Sequence, residues 1–149
     1  MDVERLLSEE DAGWRALRDA FEAIPPERFD EPGVTPDGWS AKDLMFHVGA
    51  WCAQCGTVLE RIRMGTFSPS GGDGSPVDAR NREWFETSRR LDAPTVRAEF
   101  HAARTRMIHE WQALDEITPA AWEWFEESGP LHYSEHLRGL QAWLAGSEG

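Results

Sequence analysis

GWSAKDLMFHVGAW, residues 38–51, carries the strongest local signal in the chain. Ser40 is a favoured N-cap type, and Asp43 stands three positions on, the spacing of a capping box. Trp39 before the cap and Leu44 at the fourth helical position form the pair of a hydrophobic staple. A helix is therefore expected to start at Ala41. Leu44, Val48, Trp51, Cys55, Val58 and Ile62 recur at three- and four-residue steps, which carries it over about 41–64, with Gly65 as its stop. At roughly 100° per residue, His47 falls inside this apolar stripe and Phe46 on the opposite side. An inward histidine needs a partner. Alone, it reads most simply as a core residue bonded to a backbone carbonyl.

The same periodicity continues on both sides. Val3, Leu7, Trp14, Leu17, Phe21 and Ile24 mark a first helix over about 3–24, ended by Pro25-Pro26. Residues 66–74 are rich in Gly and Ser and read as a loop. Ser75-Pro76-Val77-Asp78 repeats the capping-box pattern and opens a helix over about 76–91. Val96, Phe100, Ala103, Met107, Trp111 and Leu114 place another over about 94–117. Residues 120–128 hold Trp122, Trp124 and Phe125 among acids and are ambiguous, with one helical turn expected. The last helix opens at Gly129-Pro130 and covers about 130–144. No strand alternation and no internal repeat interrupts this pattern. The fold class expected is all-α: residues 1–149 form a single four-helix bundle domain with an extra short helix.

Bulk properties narrow the function. The 149 residues carry a net charge of −12, with 40% hydrophobic and 28% charged residues. One domain with a sizeable core is expected. The acidic balance argues against a nucleic-acid partner, since such surfaces are basic. No apolar run is long enough to span a membrane, and the acidic start MDVERLLSEED lacks a signal core, so no membrane partner and a cytoplasmic location are expected. Eight tryptophans are many for this length and must fill a core or line a pocket.

Near the C-terminus, His132 and His136 stand four apart in a helix, the spacing at which two imidazoles share one ion. Their helix places His132, His136, Gly139 and Trp143 on one face, a seam poor in aliphatic residues. Of five histidines, His101 and His109 lie off their helix's stripe and read as surface residues. His47, His132 and His136 are inward. Each unsatisfied buried imidazole costs on the order of 1–3 kcal/mol, a cost that a shared metal removes. Three neutral imidazoles suit zinc, nickel or iron, and three protein ligands leave a position open, as catalytic sites do. Cys52 and Cys55 form a lone CxxC in mid-helix and read as small core residues. Glu135 and the acids at 115, 116, 123, 126 and 127 read as solvated charges.

GWSAKDLMFHVGAW resembles the second-helix signature of the DinB-like superfamily, W-[ST]-x-[KR]-[DE]-[LV]-x-x-H, and HYSEHLRGLQAWL, residues 132–144, resembles its last-helix signature. The resemblance extends from the first helix through the last. It implies a four-helix bundle, a divalent metal held between helices by His47, His132 and His136, and often a homodimer. The superfamily includes mycothiol-dependent maleylpyruvate isomerases, thiol S-transferases and ClbS-like hydrolases. The isomerases have Glu where His132 stands, so the resemblance points to the three-histidine transferases. The function expected is transfer of a low-molecular-weight, mycothiol-like thiol to a small electrophile in detoxification. The alternatives are a metal-activated-water hydrolase and a non-enzymatic metal- or ligand-binding bundle. No residue outside the three ligands is nominated as catalytic or cofactor-binding.

Overall fold

A computed structural model describes residues 2–69 and 77–146. Six helices follow one another: α1 (Val3–Glu22), α2 (Ala41–Met64), α3 (Val77–Ser88), α4 (Ala93–Gln112), α5 (Pro119–Ser128) and α6 (Pro130–Gly146), with a 3-10 turn at Pro26–Arg28. No strand occurs among the described residues. The four long helices α1, α2, α4 and α6 make the bundle, with α2 packed along α4 and α1 along α6.

Helix starts follow capping chemistry. At α2 the Ser40 N–H donates to Asp43 Oδ2 at 2.9 Å, and the Asp43 N–H donates to Ser40 Oγ at 3.1 Å. Two orphan donors are thereby satisfied reciprocally. The other Asp43 oxygen accepts from the Ser88 hydroxyl at 2.6 Å, which ties the end of α3 to the start of α2. Asp92 caps α4 by accepting from the Thr95 N–H, and Thr118 caps α5 by accepting from the Ala121 N–H. Ser75 and Pro76 of the box expected at the start of α3 lie outside the described residues, which resume at Val77 and Asp78 in the first turn of α3.

Several boundaries differ from expectation. α1 ends at Glu22, two residues before Ile24, although Ile24 is still buried. α4 ends at Gln112 rather than near 117. The ambiguous stretch after Thr118 is a ten-residue helix, so the bundle carries two short helices, α3 and α5, instead of one. The signal was present: Thr118-Pro119 is an N-cap followed by a first-turn proline.

α2 approaches α4 closely because it presents glycine there. A Cβ added at Gly49 would sit 3.3 Å from the Phe100 Cα, and one at Gly56 would sit 3.6 Å from Arg106 Cγ. The two glycines are seven apart, two helical turns on one face. Gly65 ends α2 in the left-handed conformation at φ 73°, where glycine carries no Cβ penalty.

The buried face of α1 is not wholly apolar. It consists of Leu6, Glu10, Trp14, Leu17 and Phe21, while the expected Val3 and Leu7 are only half-buried. Glu10 is 0% exposed. Arg104 of α4 donates to it from Nε at 3.0 Å, and the Tyr133 hydroxyl of α6 donates at 2.9 Å. Tyr133 is itself 0% exposed, its hydroxyl 3.5 Å from Cys52 Sγ. This polar knot joins α1, α2, α4 and α6 inside the core. Both cysteines are free and fully buried, as the sequence implied. Burial pushes the Cys52 thiol up to about 12 and raises Cys55 as well.

Candidate metal centre

The three inward histidines meet. The Nε2 atoms of His47 and His132 are 3.0 Å apart, and those of His136 and His132 are 2.9 Å apart. One ligand atom from each lies within 4.8 Å of the others. His47 comes from α2, where Gly49 and the capped first turns fix the helix against α4. His132 and His136 come from successive turns of α6, which Tyr133, on a neighbouring face, ties to Glu10 of α1.

Electrostatics suit a metal. Burial, then repulsion from His136, lowers His47 to about 3. Burial first, then His136 and His47, lowers His132 to about 2, against a weak opposing effect of the Ser128 backbone. His136 is lowered by burial and raised in part by Glu135. All three rings are therefore neutral near pH 7, the state that ligates. His132 Nε2 carries either one proton or one lone pair, so it serves two neighbouring Nε2 atoms poorly. Three lone pairs aimed at one ion remove that conflict. Tetrahedral zinc would space such nitrogens about 3.3 Å apart, close to the separations seen. The donor set thus fits a divalent first-row metal. No hydrogen bond of good geometry reaches Nδ1 of His47 or His132, although Ser128 lies near the latter. Packing orients the rings instead, with Trp39 4.9 Å from His47 between ring centroids.

The histidines open into a cavity of about 900 Å³. Trp39, Trp51 and Trp124 line it. Trp51 is fixed by donating its Nε1–H to Asn81 Oδ1 at 3.0 Å and by an edge contact with Trp84. Trp143, expected near the site, instead lies under the Arg28 guanidinium, 4.4 Å from it. Trp39 is more than the staple expected of it: its ring also stacks on Phe85. Glu123, Glu127 and Glu135 are exposed as expected, yet they also line the cavity. Sequence reasoning missed Trp124, Glu123 and Glu127 because α5 was not recognised as a full helix, and it left Glu135 of α6 as a solvated charge because that residue lies off the inward stripe. His101 and His109 are exposed and lie outside the cluster.

Residues 11–142 match the family described as mycothiol maleylpyruvate isomerase N-terminal domain. The chain belongs to that family. The DinB-like reading of the second and last helices therefore holds. No curated protein shows significant sequence similarity to the chain. Among solved structures, an uncharacterised protein from Escherichia coli UTI89 superposes with a TM-score of 0.80 at 16% identity, over 96% of this chain and 92% of that one. The colibactin self-resistance protein ClbS, solved in complex with a dsDNA, gives 0.81 at 11% identity, over 95% of each chain. TT2238, described as a four-helix bundle protein, gives 0.64 at 19% identity, over 93% and 98%. At these identities the likeness is one of fold.

One expectation falls with these comparisons. The absence of a nucleic-acid partner was inferred from net charge, yet ClbS shares this family member's architecture and was solved with a duplex. Net charge is a sum over a whole surface, whereas a duplex is met by local groups, so the sum excludes nothing. No helix among the described residues is long and apolar enough to cross a membrane.

Proposed function

We propose that this family member is a metal-dependent enzyme that transfers a low-molecular-weight, mycothiol-like thiol to a small electrophile. The observation that carries the reading is the convergence of three neutral imidazoles at the buried end of a cavity. His47, His132 and His136 would hold a zinc, nickel or iron ion. Such an ion, with a coordination position left open, lowers the pKa of a bound thiol or water. The other cavity residues position the reactants. Trp39, Trp51 and Trp124 offer apolar walls for a small molecule and exclude water from the reacting end. A homodimer belongs to the same reading and is checked by analytical ultracentrifugation.

Elemental analysis of the purified protein beside His136→Ala tests the ligand set. Stoichiometric first-row metal in the parent and its loss in the variant are expected. If neither takes up added zinc or nickel, the reading is wrong. The transfer itself is tested by thiol consumption with an electrophile panel in the presence and absence of mycothiol.

A second reading is hydrolysis by activated water, a role played without any thiol. Glu135 favours it, because this carboxylate lines the cavity and acts electrostatically on His136. A carboxylate so placed can serve as a general base. Turnover that is independent of thiol and lost in Glu135→Gln would select this alternative.

A further inference from the structure

The cavity that holds the histidine cluster has a marked charge asymmetry. Its buried end is neutral imidazole, and its walls are tryptophan. Asp37, Glu123, Glu127 and Glu135 also line it, and all four are exposed, so they stand where the cavity meets solvent. Glu123 and Glu127 are four apart on α5 and therefore stacked on one face of that helix. No lysine or arginine lines the cavity among the described residues, and none of the four carboxylates forms an ion pair there. Residues 70–76, SGGDGSP, contain no basic residue in their sequence.

Elsewhere the surface behaves differently. Arg5, Arg15, Arg28 and Arg106 each pair with a carboxylate on the same helix, turn or neighbouring helix. Unpaired acids occur elsewhere on this acidic chain, but at the cavity rim four of them line one opening together with three tryptophans. Those two features together favour one class of ligand. A cation is drawn by the carboxylates and is also attracted to the face of an indole. An anion meets repulsion from the rim and finds no guanidinium fork to receive it.

We propose that the cavity selects a cationic aromatic or amphiphilic molecule, with its positive group at the carboxylate rim and its apolar body between the tryptophans. This specificity rests on the cavity being the substrate site of the reading above.

Three probes of matched size separate the possibilities: 2-naphthylmethyl-trimethylammonium, 2-naphthylmethanol and 2-naphthylacetate. Their binding to metal-free protein, without any thiol, is measured by titration calorimetry at low salt. The ammonium should bind at least about tenfold tighter than the acetate, with the alcohol between, and the ratio should shrink at high salt. In Glu123→Gln/Glu127→Gln the ratio should fall to about threefold or less while the alcohol's affinity is kept, which also reports an intact fold. Glu4→Gln/Glu22→Gln, which removes two exposed charges from α1 away from the cavity, should leave the ratio unchanged. The proposal is overturned by ammonium and acetate binding alike, by no probe binding, or by the α1 control losing the ratio as the cavity variant does. Zinc uptake is measured separately. A cation preference without zinc uptake keeps this proposal and sinks metal-dependent transfer, and the opposite pair of results does the reverse.

Discussion

At the scale of single residues, the most exacting arrangement is the buried trio Glu10, Arg104 and Tyr133. Glu10 is fully buried, and Arg104 is its charge partner. Removing one member of a buried pair strands the other's charge, which costs about 3–5 kcal/mol. Arg104→Met should therefore lower the urea midpoint sharply. Tyr133→Phe removes only a hydroxyl donor and should cost about 1–2 kcal/mol. Equal effects of the two variants would show that Glu10 is not held as a buried carboxylate. The histidines set a separate expectation. An unfolded histidine titrates near 6.5, whereas His47 and His132 are lowered to about 3 and about 2 by burial. As pH falls below about 6.5, the unfolded chain takes up protons that the folded one does not. Metal-free protein should therefore lose stability with acidification, by up to about 1.4 kcal/mol per pH unit for each such ring. Urea melts at pH 7.5, 6 and 5 would show a shallower slope for His132→Asn. An identical slope would mean the ring is not buried neutral.

At the scale of elements, α2 was the most legible part of the chain and α5 the least. The start of α2 at Ala41 and its stop at Gly65 follow from local chemistry, a reciprocal cap and a left-handed glycine, that needs no tertiary partner. α5 is short, and its burial depends on Trp111 stacking on Phe125 at 4.1 Å, a contact made across two helices. Periodicity over ten residues rich in both Trp and Glu carries little of that. The partial polarity of α1 was hidden for a similar reason: Glu10 is inside only because Arg104 and Tyr133, 94 and 123 positions along the chain, come to meet it. The histidine cluster was legible because each ring sits in phase on its own helix. The glycines of α2 were not singled out, yet they decide how near α4 comes. Gly49→Ala should destabilise by about 1–3 kcal/mol, since its Cβ would press on the Phe100 backbone. Gly56→Ala meets only ordinary contacts and should be neutral or gain up to about 1 kcal/mol of helix propensity. Thermal melts of the two variants should move in opposite directions, or at least differ in size; parallel losses would contradict the packing.

At the scale of the whole molecule, the cluster spans the bundle. α6 packs chiefly on α1 and α5 and touches α2 only lightly, yet His47 must meet His132 and His136 across that gap. An ion there would link two parts of the bundle that share few other contacts. Ligation to the folded state alone stabilises by mass action, about 2.7 kcal/mol at a hundredfold excess over Kd. Saturating zinc should raise the melting temperature of the parent and leave His132→Ala unmoved. A rise in both would place the zinc elsewhere.

Both thiols of the chain lie at 0% exposure with their pKa values raised, Cys52 to about 12. A catalyst that handles alkylating compounds faces poisoning by its own substrate, and exposed thiolates are the usual casualties. This chain offers none. Native protein incubated with iodoacetamide should show no mass shift over hours, and the same protein in guanidinium should gain two adducts. If the proposed transfer to electrophiles holds, such inertness would let the molecule outlast many encounters with its substrates, so that its working lifetime is set by unfolding and not by self-labelling.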